Sequence, residues 1–277
     1  MLTKAATLGA DTVCMDLEDA VTPNKKVEAR SNITTALETL NFGTSERTVR
    51  INPVNEGSGR DDLRHILQGK VLPDGIVIPK LSFYWELEEV HGIIEKEVGA
   101  KGKNIVVIPI IETAHAVLTL SNIIASNSGC YERLVALIFG ADDFANSIGA
   151  KRTVTNFEVA TARQLVVMHA KANGLQAIDM VNINFHDTNV LREECIQGFT
   201  MGYTGKQIIH PKQIEITHES FAPTKEEVGW AIRCVAADKE NAQAGKGAFS
   251  MDGQMIDAPT VKIAQETIAK AKACGMI

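Results

Sequence analysis

The chain has 277 residues, of which 45% are hydrophobic and 22% are charged, so it is long enough for one α/β barrel or for two smaller domains. Its formal net charge of −6 argues against a nucleic-acid partner, and no apolar run approaches the ~18 residues of a transmembrane helix. Five cysteines are scattered singly without a CxxC pair, which predicts reduced thiols and an intracellular compartment. No secretory or transit peptide is recognisable.

Short apolar runs rich in β-branched residues recur along the chain and predict seven strands. They lie at residues 12–17, 48–52, 75–79, 105–111, 134–140, 177–183 and 206–211. The runs begin 27 to 43 residues apart, which is the spacing of βα units that build a parallel sheet. Between them, Thr22 followed by Pro23 predicts a helix start, and Gly174 predicts a helix end.

Seven strands are one fewer than the eight of a (β/α)₈ TIM barrel. The chain opens with MLTKAATLGAD, which predicts a helix that ends at Gly9 and leads into the first strand. A helix in that position implies a strand before it. We therefore expect an α/β TIM barrel whose first strand is missing from this chain; an open sheet, which would leave an unprotected edge, is the alternative.

After residue 212 the βα pattern ends. Thr224 opens a capping box for a helix to about residue 241. Asp252-Gly253 predicts the turn of a small hairpin, and Pro259 opens a last helix. We expect a barrel over residues 1–220 and a C-terminal helical and hairpin extension over residues 221–277.

Charged residues follow several of the predicted strands at their carboxyl ends, where parallel βα proteins bind ligands. They are Asp16, Glu18 and Asp19 after the first strand, Arg50 on the second, Lys80 after the third, Glu112 after the fourth, Asp142 and Asp143 after the fifth, and Asp179 on the sixth. Each alone is explained by helix capping or by a local ion pair. Several carboxylates on one rim, however, repel one another unless a cation neutralises them.

Glu112 ends the most apolar strand, IVVIPIIET, and the acids of GADDF follow the next strand along the chain. Their carboxylates are therefore expected to be neighbours. Oxygen ligands without a nearby His or Cys cluster suit Mg²⁺, which takes one or two protein carboxylates and leaves positions for water and substrate. The spacing predicts a Mg²⁺ site on Glu112 and leaves Asp142 and Asp143 as alternative second ligands.

Asp257 lies among apolar neighbours in QMIDAP. Such surroundings raise the pKa of a carboxyl group and suit proton transfer. The same residue stands where the last helix needs an N-cap, just before Pro259. From the residues alone the cap is the favoured interpretation.

Seven motifs taken together resemble the citrate lyase beta-chain superfamily, and in particular its animal mitochondrial branch. They are MDLEDAV, VRIN, IPIIET, GADDFANSIGA, GLQAIDMV, GYTGKQIIHP and GKGAFSMDGQMIDAP, and they cover essentially the whole chain. The resemblance implies a (β/α)₈ barrel with a C-terminal extension, a homotrimer, and a Mg²⁺-dependent carbon–carbon lyase acting on acyl-CoA thioesters. For the animal branch it implies a mitochondrial enzyme that cleaves citramalyl-CoA to pyruvate and acetyl-CoA, with a weaker malate-synthase-type condensation.

The resemblance also implies roles for single residues. Glu112 and Asp143 would ligate the metal, and Arg50 would contact substrate oxygens. Given such a metal, we expect Glu18 and Asp19 to order the water molecules bound to it. Lys4 would contact the CoA phosphates, Ile178 and Asp179 would line the CoA or substrate pocket, and Asp257 would act as the acid/base in the site of a neighbouring subunit. Relatives begin with a strand and a VPG-type loop that are absent here, so we expect a weakened CoA site.

Two other functions remain open from the sequence. A related malyl-CoA lyase, citryl-CoA lyase or aldolase would use the same metal site on another acyl group. A catalytically inactive binding subunit would not need Arg50, Glu112, Asp143 and Asp257, and the presence of all four favours an enzyme. A nucleotide-binding α/β protein is disfavoured because no GxGxxG follows the first visible strand.

Overall fold

The computed structural model describes residues 1–125, 131–184, 186–243 and 247–277, so Cys130 lies outside the described residues. The chain divides into two compact units, Met1–Thr217 and His218–Ile277. The boundary predicted after residue 220 falls slightly later than this division. Within the described ranges, no helix is both long enough and apolar enough to span a membrane.

The first unit is built on a curled sheet of seven parallel strands, each paired with the next along the chain. The strands are β1 (Thr12–Asp16), β2 (Glu46–Arg50), β3 (Gly75–Ile78), β4 (Val106–Ile111), β5 (Ala136–Phe139), β6 (Gln176–Asp179) and β7 (Gly205–Lys206). All seven predicted strands are present, although β6 and β7 end earlier than predicted. The result is a TIM-barrel-like α/β fold.

Helices follow the strands of this unit, as expected for βα repeats. They are α1 (Leu2–Ala5), α2 (Lys26–Thr39), α3 (Ser58–Leu67), α4 (Tyr84–Val98), α5 (Ala114–Ile124), α6 (Ala141–Ser147), α7 (Ala160–Ala172), α8 (Thr188–Met201) and α9 (Ile214–Phe221), the last crossing the division between the units. Within the part of the chain that the structure describes, no ladder joins β7 to β1. The structure thus shows the parallel sheet of the predicted barrel but not a closed ring of eight strands.

The apolar runs that predicted the strands are buried, as parallel sheets require. On the inner face of the curled sheet, Ile108 and Ile110 of β4 pack with Val77, Ala136 and Ile138 of the neighbouring strands. Full burial of such a side chain is worth about 1.5–3 kcal/mol, so this cluster holds adjacent strands in register. Their carboxyl ends consequently meet along one edge of the sheet.

The second unit consists of two helices and a hairpin, as predicted. They are α10 (Lys225–Gln243), β8 (Phe249–Met251) paired antiparallel with β9 (Gln254–Ile256), and α11 (Ala258–Ala273). The capping box is confirmed, since Thr224 N donates to Glu227 and Glu227 N donates to Thr224 Oγ1. At the hairpin turn Asp252 and Gly253 have φ values of 51° and 78°, the left-handed conformations of a type I′ turn.

The predicted helix start at Thr22 is wrong in its details. The Thr22 hydroxyl donates to Asn24 Oδ1 over 2.8 Å and makes no cap bond to the backbone. A short 3₁₀ turn over Pro23–Lys25 intervenes, and α2 begins at Lys26. Proline at the first position is compatible with either helix type because only its N–H is missing.

Candidate active site

Arg50, at the carboxyl end of β2, binds the two acids that follow β1. The ladder pairs it with Asp16, and its Nε and Nη2 donate to the two Asp16 carboxylate oxygens over 2.7 Å each. Nη1 lies 2.9 Å from Glu18 Oε2. A guanidinium carries five N–H donors, so at least two remain for a ligand. The side chain is 24% exposed, which leaves those donors accessible.

The Arg50 guanidinium also determines the ionisation of Asp16. Burial raises the pKa of this carboxyl, but the hydrogen bonds and charge of Arg50 more than offset it and lower the pKa below its ordinary value. Two backbone N–H groups add to the effect, from Glu18 at 2.9 Å and from Ala20 at 3.0 Å. Asp16 is therefore an ionised anchor that holds the guanidinium in place.

Glu18 is buried between two cations. Only 4% of its side chain is exposed, and Lys80 Nζ lies 3.1 Å from Oε1 on the side opposite Arg50. Neither carboxylate oxygen has a hydrogen bond of good geometry among the described residues, so the attraction is mainly electrostatic. Burial raises the pKa of Glu18, against the effect of the two cations, and the charge of the exposed neighbour Asp19 raises it further.

Glu112 is a buried carboxylate directly after β4, with 5% of its surface exposed. The main-chain N–H of Lys80 donates to its Oε1 over 2.5 Å. A Cβ atom at Gly140 would lie 2.4 Å from Oε2, so glycine at that position lets the carboxylate lie against the backbone after β5. Burial raises the pKa of Glu112 to about 8, and the charges of Asp143 and Glu18 contribute to the rise.

The two adjacent acids of α6 have different surroundings. Asp142 is 49% exposed and its Oδ1 accepts from Arg152 Nη1 over 2.9 Å. Asp143 is half-buried, and its charge acts on Glu112 and on Lys80. Within the described ranges no hydrogen bond or ion pair to the Asp143 carboxylate is found. Asp143 is thus the acid that is available beside Glu112.

These two carboxylates suit a hard divalent cation. Burial leaves Glu112 difficult to ionise by itself, and a nearby positive ion would stabilise its charge together with that of Asp143. Mg²⁺ commonly uses one or two protein carboxylates and leaves its other positions to water and substrate, so a pair of oxygen ligands of this kind is compatible with it.

This difference between the two acids gives a first prediction. If Asp143 ligates the metal as predicted, Asp143→Asn should weaken Mg²⁺ binding about tenfold or more. Asp142→Asn, the matched control, should change it by less than about threefold, since Asp142 is engaged with Arg152. Calorimetric titration of both variants with MgCl₂ measures the two constants. Equal losses would contradict the assignment of Asp143.

A polar network from α2 fixes the loop that carries Glu18. Lys26 Nζ donates to the main-chain oxygens of Leu17 (2.6 Å) and Glu18 (2.7 Å) and to Asn52 Oδ1 (2.8 Å). Asn52, two residues beyond Arg50, also donates from Nδ2 to the Leu17 oxygen over 2.9 Å. The network joins the ends of β1 and β2, so it positions both Glu18 and Arg50.

Loss of this ammonium should be costly. We expect Lys26→Met to lower the free energy of unfolding by about 2–3 kcal/mol, because three acceptors lose a charged donor. The neighbouring Lys25→Met is the matched control: Lys25 pairs with Glu28 at the exposed surface, and its loss should leave the urea midpoint close to that of wild type. Urea denaturation of both variants measures the two losses. Indistinguishable urea midpoints for Lys26→Met and Lys25→Met would show that the network contributes nothing to stability.

The two predicted pocket residues on β6, Ile178 and Asp179, lie on opposite faces of the sheet. Ile178 packs against the inner apolar cluster, whereas Asp179 is fully buried. Arg163 donates to both Asp179 oxygens, over 3.1 and 2.8 Å, and Lys206 Nζ lies 3.6 Å away. The Asp179 carboxylate is thus occupied by internal ion pairs. Its direct contact with a substrate stays a prediction, and these ion pairs favour a supporting role instead.

Lys4 lies on α1 with an exposed side chain, and its predicted contact with CoA stays a prediction. Asp257, in the second unit, is the N-cap of α11 and accepts from Thr260 Oγ1 (2.7 Å) and Thr260 N (3.2 Å). The cap is therefore confirmed. The raised pKa expected from its apolar neighbours is wrong, because the hydrogen bonds from Thr260 lower the pKa of this carboxyl.

Two features of the site were missed from the sequence. Lys80 is among the charged residues that follow the predicted strands, but the contacts of its backbone and side chain with Glu112 and Glu18 were not foreseen. Lys26 carries no signal in the sequence that marks it as part of the site. Gly140, the glycine of GADDF, does carry one, since a glycine there allows a close approach of the backbone to another group.

Comparison with known proteins identifies the family of this chain. Residues 1–211 match the family model HpcH/HpaI aldolase/citrate lyase. The mitochondrial citramalyl-CoA lyase of Homo sapiens is 39% identical over 97% of this chain and 81% of its own length. The (3S)-malyl-CoA thioesterase of Cereibacter sphaeroides is 34% identical over 98% of this chain and 90% of its own.

A solved structure extends the comparison to the fold. The protein CitE from Mycobacterium tuberculosis, in complex with magnesium, acetoacetate and coenzyme A, is 26% identical to this chain, with a TM-score of 0.77. The match covers 97% of this chain and 92% of that one. The resemblance seen in the motifs is thus confirmed, and the chain belongs to the HpcH/HpaI aldolase/citrate lyase family of enzymes.

Proposed function

We propose that this chain is a Mg²⁺-dependent CoA-ester lyase that cleaves citramalyl-CoA to pyruvate and acetyl-CoA. The observation that carries the proposal is the buried Glu112 carboxylate with the half-buried Asp143, for which the described ranges contain no ion-pair partner, and the accessible N–H donors of Arg50 on the same edge of the sheet. The 39% identity to a citramalyl-CoA lyase supports the choice of acyl group. A neighbouring structure that holds magnesium and coenzyme A supports the cofactor and the thioester.

The proposed reaction breaks one carbon–carbon bond. The substrate hydroxyl gives its proton to water and becomes the keto group of pyruvate, and the electron pair of the broken bond moves to the thioester fragment. That enolate then takes a proton at carbon to give acetyl-CoA. Mg²⁺ held by Glu112 and Asp143 would lower the pKa of the hydroxyl and neutralise carboxylate oxygens. Arg50 stabilises negative charge that develops on oxygen, and Asp16 and Glu18 fix its orientation.

We further propose a homotrimer in which Asp257 of one copy exchanges the proton at the enolate carbon in the site of another. Its N-cap position favours the ionised form, which is the form that removes a proton in the reverse condensation. Asp257→Asn should lower turnover about 10²-fold or more and leave KM within about threefold. Mixing inactive Asp257→Asn and Arg50→Ala chains should restore activity, and mixed oligomers that stay inactive would contradict a shared site.

The choice of substrate is tested by comparing three products. We expect kcat/KM for pyruvate release from citramalyl-CoA to exceed that for glyoxylate release from malyl-CoA about tenfold or more, because the pocket would bury the extra methyl group. Free CoA released without pyruvate would instead indicate a thioesterase, the activity in the name of the Cereibacter relative. Either a preference for malyl-CoA or hydrolysis alone would overturn the proposal.

Two further elements of the proposal come from the family resemblance. A malate-synthase-type condensation would use the same site in the reverse direction, with Asp257 as the base. A mitochondrial location is supported by the mitochondrial citramalyl-CoA lyases of mammals that this chain resembles. Fractionation of cells that express the full-length protein tests the location.

A further inference from the structure

Lys80 contacts two carboxylates of the site with two different groups. Its main-chain N–H donates to Glu112 Oε1, and its ammonium lies 3.1 Å from Glu18 Oε1. Its side chain is 38% exposed, so the ammonium also faces solvent on the edge where the strands end. The charge of Asp143 acts on the same ammonium. One residue thus connects the proposed metal ligand to the buried acid beside Arg50.

The backbone at Lys80 has an unfavourable conformation. Its φ is 51°, in the left-handed region that costs energy for a residue with a Cβ atom and an unbranched chain. The two other described non-glycine residues with positive φ are Asn156 and Asp252, residue types that tolerate it better. Strain of this kind persists where surrounding contacts impose it, and the contacts here are with Glu112 and Glu18.

Charge on this edge of the sheet is unbalanced without Lys80. The charges of Glu18 and Asp143 act on Glu112, and the charge of Asp19 acts on Glu18 and on Lys80. Asp16 is paired with Arg50. Arg50 is engaged by both Asp16 and Glu18, so Lys80 is the second cation that compensates Glu18. An anionic acyl group approaching a buried, uncompensated Glu18 would be repelled.

We propose that Lys80 is a positioning and charge-balancing residue of this site: its N–H orients Glu112, and its ammonium compensates Glu18 so that an acyl group bearing a carboxylate can bind. The inference rests on the proposed function and adds a specificity element to it. Acyl-CoA thioesters with a free carboxylate would be accepted because of Lys80, whereas acetyl-CoA, which has none, would bind with little dependence on it.

Three substitutions separate charge from backbone strain. Lys80→Met removes the ammonium and keeps most of the side chain, Lys80→Arg keeps the charge, and Lys80→Gly removes the charge while relieving the left-handed strain. Lys101→Met is the matched control, since Lys101 is an exposed lysine in the turn before β4, at the opposite end of that strand. Each variant is titrated with MgCl₂ by calorimetry, melted without metal, and assayed with citramalyl-CoA.

We expect Lys80→Met to raise KM for citramalyl-CoA about tenfold while inhibition by acetyl-CoA changes less than about threefold. Its Mg²⁺ binding should become about threefold tighter, because a repelling cation is removed. Lys80→Gly should show the same KM change with a melting temperature no lower than that of Lys80→Met, and Lys80→Arg and Lys101→Met should stay near wild type.

Two results would overturn the inference. Kinetic constants of Lys80→Met within about twofold of wild type would make Lys80 an ordinary surface lysine. Weaker Mg²⁺ binding together with a lower melting temperature would show general damage to the fold.

Failure of the proposed function can be told apart from failure of this inference. If the wild type binds Mg²⁺ but releases no pyruvate, the proposed substrate is wrong, and the role of Lys80 is tested by the Mg²⁺ titration alone. Tighter Mg²⁺ binding by Lys80→Met would then support charge balance, and unchanged or weaker binding would overturn it. A wild type that binds no Mg²⁺ overturns both proposals.

Discussion

Glu112→Gln should abolish Mg²⁺-dependent cleavage, with a loss of about 10³-fold or more, and should stabilise the metal-free protein at alkaline pH. The two effects have one cause. Burial places the pKa of Glu112 near 8 in the folded chain, well above its value in an unfolded chain, so the ionised carboxylate is costly unless a cation is bound. A glutamine keeps the acceptor for the Lys80 N–H and carries no charge.

The sign of the pH dependence follows from the direction of this shift. A carboxyl whose folded pKa is raised contributes stability below the unfolded pKa, near 4.5, and that stability is lost as the pH rises through about 8. Metal-free wild type should therefore become less stable between pH 5 and pH 8. The gain from Glu112→Gln at pH 8 should be several kcal/mol, with about 5 kcal/mol as the ceiling, and should be near zero at pH 5.

Denaturation of the metal-free protein at both pH values measures this effect, and the melting temperature with added Mg²⁺ gives a second readout. Wild type should gain stability on adding Mg²⁺ and Glu112→Gln should not. Glu86→Gln is the matched control, because Glu86 is equally buried but accepts two backbone N–H bonds of 2.8 Å at the start of α4. It should lose stability at both pH values and keep the Mg²⁺ response. A Glu112→Gln variant that behaves in the same way would rule out the metal assignment.

Arg50→Lys should reduce kcat/KM about 10²- to 10⁴-fold and lower the free energy of unfolding by about 2–4 kcal/mol. A lysine ammonium cannot reproduce the fork that holds both Asp16 oxygens, nor reach Glu18 at the same time. Asp16 would lose its two hydrogen bonds from the guanidinium and Glu18 would lose its ion pair, in a site where their side chains are 19% and 4% exposed. Arg50→Ala should be at least as severe.

Arg47 provides a control on the same strand. It forms an equivalent fork with Asp74, with bonds of 2.8 and 2.7 Å, near the amino end of β2 and β3. Arg47→Lys should cost about 1 kcal/mol of stability and leave kcat/KM within about threefold, since Asp74 is 42% exposed. If the two substitutions lower activity equally, Arg50 acts through the stability of β2 and not through the substrate.

Much of the fold could be predicted because its signals are local. Buried strands of a parallel sheet read as short apolar runs, and all of the predicted runs are strands. The strand predicted over 206–211 was too long, since only Gly205 and Lys206 form the strand and His210 caps the 3₁₀ turn that follows it. The hairpin, the capping box and the N-cap of the last helix could also be predicted, because each depends on residues close together in sequence.

For the site, the sequence predicted which charged residues are present but not how they pair. The charged residues at the strand ends were visible, but their partners were not. Whether Asp142 or Asp143 is free depends on Arg152, ten residues further on, and Asp179 is occupied by Arg163 from a neighbouring helix. The predicted direction of the pKa shift at Asp257 was wrong, because the hydrogen bond from the Thr260 hydroxyl lowers the pKa by more than the apolar neighbours raise it. Pairings of this kind are set by tertiary packing and leave no periodic trace in the sequence.

We expect the carboxylate pair Glu112 and Asp143 to make CoA-thioester cleavage depend on a divalent cation. Pyruvate release from citramalyl-CoA should therefore be measured for wild type and for Glu112→Gln, each with Mg²⁺ and with EDTA. We predict rapid release by wild type with Mg²⁺, and a fall of about 10³-fold both in EDTA and in the variant. Release that is equally fast in EDTA, or unaffected by Glu112→Gln, would show that this carboxylate pair does not hold a catalytic metal.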